Sequence, residues 1–156
     1  MKLYLLQEIF TFGERFTVYD ENEAERYYVE GEVFSFGKKL HIYNTHEEEI
    51  ALVHQELFSF PPTFAVKRGD LEIAAIVKEF SFFHQAYTVE GPGWQVEGDF
   101  SNHDYTIQKD GRLIATVSRE WFSLGDSYEI DIKESSDEEA VIALATALVI
   151  DAILSD

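Results

Sequence analysis

The feature that most restricts what this chain can become lies at its C-terminal end. From Ala140 to Ile150 the sequence reads AVIALATALVI, in which only Thr146 carries a polar side-chain atom, and Ala152, Ile153 and Leu154 continue the pattern past Asp151. A helix of this composition has no polar stripe at the 3.6-residue period, so it is either buried on every side or crosses a membrane. Eleven residues, or 15 when Asp151 is passed over, fall short of the roughly 18 to 20 that span a bilayer. The start is well marked. Ser136-Asp137-Glu138-Glu139 is a capping box, and its acidic residues complement the dipole of the first turn. A helix over about 137–154 is therefore predicted, buried inside the protein, with no transmembrane segment.

The chain also repeats itself. Residues 50–66, IALVHQELFSFPPTFAV, match residues 114–130, IATVSREWFSLGDSYEI, with Ile, Ala, Val, Glu, Phe and Ser recurring at a constant offset of 64. Val29-Glu30-Gly31-Glu32 is echoed by Val96-Glu97-Gly98-Asp99, and Thr17-Val18 by Thr88-Val89. Matching segments in the same order point to a tandem duplication, about 14–70 and 85–133, within one domain over 1–156. Each copy has the pattern of a strand meander. Tyr128, Ile130 and Ile132 alternate with Glu129, Asp131 and Lys133, the period of a half-buried strand. Arg68-Gly69-Asp70 and Asp110-Gly111 are hairpin turns, since glycine tolerates positive φ. About twelve strands follow, near 3–9, 14–20, 27–35, 39–44, 49–57, 63–67, 71–79, 85–90, 93–99, 104–109, 112–120 and 127–133.

Composition agrees with a strand-rich chain. Thirteen Phe, eight Tyr and two Trp make 15% of the 156 residues, and rings suit a pleated, half-buried surface. A helix with its side chains is about 10 to 12 Å across. An eight-stranded barrel is filled by its own side chains, so a larger closed one is needed to hold a helix. The predicted fold is mostly β: a twelve-stranded closed barrel around a central hydrophobic C-terminal helix, which also removes free sheet edges.

Charge narrows the partners. Twelve basic against 30 acidic residues give −18, which repels phosphate backbones and excludes a nucleic-acid binder. The absence of cysteine removes disulfides, thiolate metal sites and cysteine nucleophiles. Met1-Lys2-Leu3-Tyr4-Leu5-Leu6-Gln7-Glu8 has neither the apolar run nor the cleavage site of a signal peptide, so a cytoplasmic protein is expected.

Several segments together resemble the LURP-one-related family, whose domain belongs to the tubby-like C-terminal group. They are Phe16-Thr17-Val18-Tyr19-Asp20, Val29-Glu30-Gly31 with Phe34-Ser35, Pro62-Thr63-Phe64, Val96-Glu97-Gly98-Asp99-Phe100 and His103-Asp104-Tyr105-Thr106. Val117-Ser118-Arg119-Glu120-Trp121-Phe122-Ser123 and Ala147-Leu148-Val149-Ile150-Asp151 complete the set, which runs in order over nearly the whole chain. The resemblance implies a twelve-stranded barrel around a hydrophobic helix. Tubby proteins bind phosphoinositides, and phospholipid scramblases are distant relatives. Glu56 and Glu120 stand where small members of the family often carry a basic residue, which weakens an anionic-lipid role here.

No catalytic constellation stands out. Asp20-Glu21-Asn22-Glu23 starts like a calcium loop but lacks the glycine of an EF-hand turn, and is taken as a solvated acidic turn. His41, His46, His54, His84 and His103 show no i, i+4 pair and no zinc-protease spacing. Ser101, His103 and Asp104 name the parts of a triad without a nucleophile elbow, and His103 is taken as a turn residue bonded to backbone. Gly91-Pro92-Gly93 is a turn, not a nucleotide loop. Neither cofactor nor metal is predicted. Lys38-Lys39 and Lys67-Arg68 are the only local candidates for an anionic headgroup, against charged strand tips that block edge pairing. The expected function is a non-enzymatic intracellular binding or scaffold domain of unknown partner, a protein or a lipid. The alternatives are a phosphoinositide- or phospholipid-binding adaptor, by analogy with tubby, and a ligand carrier or enzyme with a site at a barrel mouth. An exposed aromatic patch would favour the first, and a pocket of convergent polar groups the last.

Overall fold

The computed structural model describes the backbone of residues 1–10, 13–32, 36–80, 86–122, 125–133 and 136–155, with all of their side chains except those at 8–10, 13, 120–122, 125, 126 and 155. Twelve strands form one closed antiparallel barrel in sequence order. They are β1 (Lys2–Phe10), β2 (Gly13–Asp20), β3 (Glu25–Gly31), β4 (Lys39–Tyr43), β5 (Glu49–Gln55), β6 (Thr63–Arg68), β7 (Leu71–Glu79), β8 (Ala86–Glu90), β9 (Trp94–Asp99), β10 (Asp104–Lys109), β11 (Arg112–Phe122) and β12 (Gly125–Ile132). An α-helix, α1 (Asp137–Ser155), follows. Each strand joins its sequence neighbours, and β1 closes the ring on β12 with Leu3 opposite Ile130 and Leu5 opposite Tyr128.

The predicted architecture and most boundaries hold. β3 differs: it begins at Glu25 and its ladder ends at Gly31, and the expected extension through Phe34-Ser35 lies outside the described residues. The two similar segments 50–66 and 114–130 occupy β5–β6 and β11–β12, half-way round the barrel from one another.

Alternation fills the interior. Leu3 and Leu5, Phe16 and Val18, Leu40 and Ile42, Tyr87 and Val89, and Trp94 and Val96 are all buried, and they share one core with α1. Every helix residue from Ala140 to Ala152 is buried. Its one hydroxyl is satisfied within the helix: Thr146 Oγ1 donates to the Ile142 carbonyl at 2.8 Å. The capping box closes as expected, with the Glu139 N–H donating to Ser136 Oγ at 3.2 Å and Glu139 Oε1 accepting from the Ser136 N–H at 3.2 Å.

The connectivity gives the barrel two unlike ends. The hairpin end carries the short turns β2–β3, β4–β5, β6–β7, β8–β9 and β10–β11 and the N-terminus of α1. In the Asp110-Gly111 turn both residues have positive φ (50° and 79°), the two-residue hairpin geometry the sequence predicted. The loop end carries the remaining connections, which are mostly longer, and the C-terminus of α1.

Candidate functional site at the loop end

The four basic candidates separate in space. Lys38 and Lys39 lie at the loop end, before and at the start of β4, whereas Lys67 and Arg68 close β6 at the hairpin end. No single headgroup can meet both pairs. Lys38 Nζ forms an ion pair of 2.7 Å with Glu14, and Lys39 sits opposite His54 in the β4–β5 ladder. Lys67 faces Glu72 across β6–β7. Arg68 lines a cleft of about 210 Å³ beside the start of α1, with Arg26, Asn44, Ile73 and the acidic Asp137 and Glu138. The acids beside its two guanidiniums make this cleft a poor seat for an anion.

The remaining sequence candidates resolve into local structure. Asp20 Oδ1 accepts from the N–H groups of Asn22 (2.8 Å) and Ala24 (3.1 Å), holding the β2–β3 turn. Ser101 Oγ donates to Asp99 at 2.9 Å. His103 does end a turn: it is left-handed (φ 52°), and its N–H donates to the Phe100 carbonyl at 3.0 Å. Its ring, however, is buried and stacks on Tyr128, centroids 4.1 Å apart. His41 lies between two carboxylates, with Nε2 2.8 Å from Glu32 and Nδ1 against Glu49. His84 and the side chain of Glu120 lie outside the described residues.

Two features of the loop end were not legible as a site. The first is a polar nest inside the barrel. Asp151, the one acid in the apolar stretch of α1, is buried, and the Tyr128 hydroxyl donates to its Oδ1 at 2.9 Å. Burial pushes the Asp151 carboxyl above the usual carboxylate range; the Tyr128 bond and nearby His103 pull the other way without cancelling it. Tyr105 is buried close by, and its hydroxyl is raised well above the ordinary value by burial and then by the charge of Asp151. Phe100 joins this group to Tyr87 through ring contacts of 5.1 and 4.8 Å. The signal in the sequence was an acid interrupting a stretch that is otherwise apolar all round.

The second feature is an apolar crown on the outside. Phe36, Phe58, Phe60 and Phe80 are 87%, 103%, 85% and 61% exposed, and Leu57 is 51% exposed. All five lie in or beside the β3–β4, β5–β6 and β7–β8 connections. These connections touch one another. Phe60 stacks on Phe80 at 5.1 Å, and Leu57 closes over Gly37, 3.1 Å from where a Cβ would stand. With about 200 Å² for a phenylalanine, the five expose on the order of 700 Å², above the largest apolar patch of an ordinary monomer. Phe58 has φ 62°, a left-handed conformation that costs a bulky residue about 1 kcal/mol or more.

Comparison with known proteins agrees with the fold. The family model described as LURP-one-related matches residues 1–149. The uncharacterized protein YxjI of Bacillus subtilis (strain 168) is 28% identical over 154 residues, covering 99% of this chain and 94% of that protein. The X-ray structure of an Arabidopsis thaliana protein superposes with a TM-score of 0.67 at 12% identity, covering 97% of this chain and 91% of the other, a likeness of fold alone. With a closed twelve-stranded barrel, a buried C-terminal helix and a family match over almost its full length, this chain belongs to the LURP-one-related family.

Proposed function

We propose that this chain is a non-enzymatic binding domain that engages its partner through the loop end of the barrel. The observation that carries this is the crown of Leu57, Phe58, Phe60 and Phe80 with Phe36: a contiguous apolar surface that water disfavours and a partner would cover. The polar groups beneath it support binding over catalysis. Asp151 accepts from Tyr128, Ser101 donates to Asp99, and the His103 ring lies flat on an aromatic. In both hydroxyl pairs the carboxylate accepts directly, without the imidazole that stands between them in a catalytic triad.

The double variant Phe58→Ser/Phe60→Ser tests the face. Both side chains are exposed, so the melting temperature should hold, while the fluorescence enhancement of the uncharged dye Nile red should fall. Unchanged dye binding would remove the loop end as the contact surface. Substrate turnover that Asp151→Asn abolishes would move the protein to the enzyme class.

A phospholipid-binding adaptor is the second reading, favoured by Lys38, Lys39 and Lys78 lying at the same end as the crown. Flotation with phosphoinositide-containing vesicles, compared between Lys38→Glu/Lys39→Glu and Lys67→Glu/Arg68→Glu, separates a headgroup site at the loop end from one at the hairpin end. Equal flotation of both variants and the parent would sink both locations.

A further inference from the structure

We infer that the loop end docks on a lipid bilayer by burying its phenylalanines at the acyl boundary, and that this docking needs no anionic headgroup. The inference rests on the reading of the loop end as the contact surface and names what covers it.

The choice of ring is the first argument. Among the described residues, Phe36, Phe58, Phe60 and Phe80 are exposed, Phe16, Phe64 and Phe100 are buried, and none of the eight tyrosines is exposed. Protein-binding surfaces and the headgroup belt of a membrane both favour tyrosine, whose hydroxyl finds a partner there. A surface that presents phenylalanine and withholds tyrosine matches hydrocarbon, which offers no hydrogen bond.

Shape is the second. Phe58 stands fully exposed on a left-handed residue, and Phe60 and Phe80 project from neighbouring connections. A rigid partner must offer a matching hollow for each tip, whereas a fluid bilayer accommodates any of them.

Charge is the third. The turns of the hairpin end hold Glu21, Glu23, Glu47, Glu48, Asp70 and Glu90, so much of the acidity lies at the far end of the barrel. Around the crown, Glu14, Glu32, Glu56 and Glu79 stand near Lys38, Lys39 and Lys78, with Glu14 paired to Lys38. A zwitterionic bilayer has no net charge to repel an acidic excess, while the net −18 opposes an anionic one. Lys78 lies two residues before Phe80, with Nζ 5.9 Å from that ring. A lysine stem lets such an ammonium reach up to the headgroups when the neighbouring ring sinks below them.

The test is flotation of the full chain with vesicles of phosphatidylcholine alone and of phosphatidylcholine with phosphatidylserine, at low and high salt. The parent should float with the zwitterionic vesicles at either salt concentration. It should float less with the anionic ones at low salt, recovering as salt screens the repulsion. Phe58→Ser/Phe60→Ser should lower the partition coefficient by roughly tenfold or more at an unchanged melting temperature. Phe58→Trp gives a positive readout: its emission should shift to the blue on vesicle addition and be quenched by brominated acyl chains. Flotation only with anionic lipid, or flotation indifferent to the phenylalanines, overturns the inference. So does a failure to float. If the parent fails to float but Nile red binding still depends on Phe58 and Phe60, the contact face stands and its occupant is a protein. Phenylalanine-dependent dimerisation without flotation likewise assigns the face to a second copy and overturns the bilayer.

Discussion

The hydroxyl of Tyr128 on β12 donates a 2.9 Å hydrogen bond to Oδ1 of Asp151 on α1, tying the barrel wall to the last turns of the helix. The bond places a carboxyl group where burial raises its proton affinity. With the folded pKa above the unfolded one, the native state gains stability from Asp151 when it is protonated. That gain is full below the ordinary carboxylate range of about 4 and is lost as pH rises through the folded value. Above that value the buried acid is a cost to the fold.

Asp151→Asn keeps an acceptor for Tyr128 and removes the charge. The variant should melt higher than the parent at neutral pH, and the gap should close as pH falls toward the carboxylate range. Melting curves across that interval check it. A variant less stable at neutral pH would mean that its neighbours favour the ionised group more than burial disfavours it.

The two Val-Glu-Gly segments make unequal demands on their glycines. Gly98 has φ 145°, and a Cβ there would stand 2.6 Å from the Asp104 carbonyl oxygen and from Tyr105 Cα, both backbone atoms of the paired strand. At Gly31 a Cβ would meet nothing closer than the Leu40 Cδ2 side-chain atom at 3.4 Å. Gly98→Ala should cost about 2 to 4 kcal/mol, whereas Gly31→Ala should stay within about 1 kcal/mol. Urea denaturation of the pair decides it; equal losses would mean that the β9–β10 ladder yields easily at this point.

Ala145 is fully buried at the centre of α1. Ala145→Asp would place an unpaired carboxylate in the barrel, at a cost on the order of 5 kcal/mol or more, and should abolish folding. Ala145→Ser can return its hydroxyl to the helix backbone as Thr146 does and should cost only about 1 to 2 kcal/mol. Soluble expression and circular dichroism separate the two. A soluble Ala145→Asp with the parental melting curve would refute the central helix.

Burial alone would lower the affinity of His41 for its proton, but the carboxylates of Glu49 and Glu32 outweigh it and hold the imidazole above its usual value. A raised histidine contributes stability that is full below about 6.5 and is lost as pH rises through the folded pKa. The melting-temperature gap between the parent and His41→Gln should be larger at about pH 6 than at about pH 8. Titration of the His41 ring protons by NMR should give a midpoint above that of a free histidine; one at or below it would contradict the prediction.

The sequence by itself determined the architecture. Alternation in segments such as Tyr128-Ile130-Ile132, turns such as Asp110-Gly111 and a helix apolar on every side each admit few solutions. A barrel wide enough to hold the helix satisfies them together, because periodicity and burial are local properties that a linear chain displays. The surface was decided by tertiary structure alone. In sequence, nothing local tells the exposed rings of Phe36, Phe58, Phe60 and Phe80 from buried ones. Only strand order brings their connections to the same end. The same order sends Lys38-Lys39 and Lys67-Arg68 to opposite ends and brings Tyr128 to Asp151 across 23 residues. Which end of a barrel a loop occupies, and what it meets there, depends on closure, a property of the whole ring of strands.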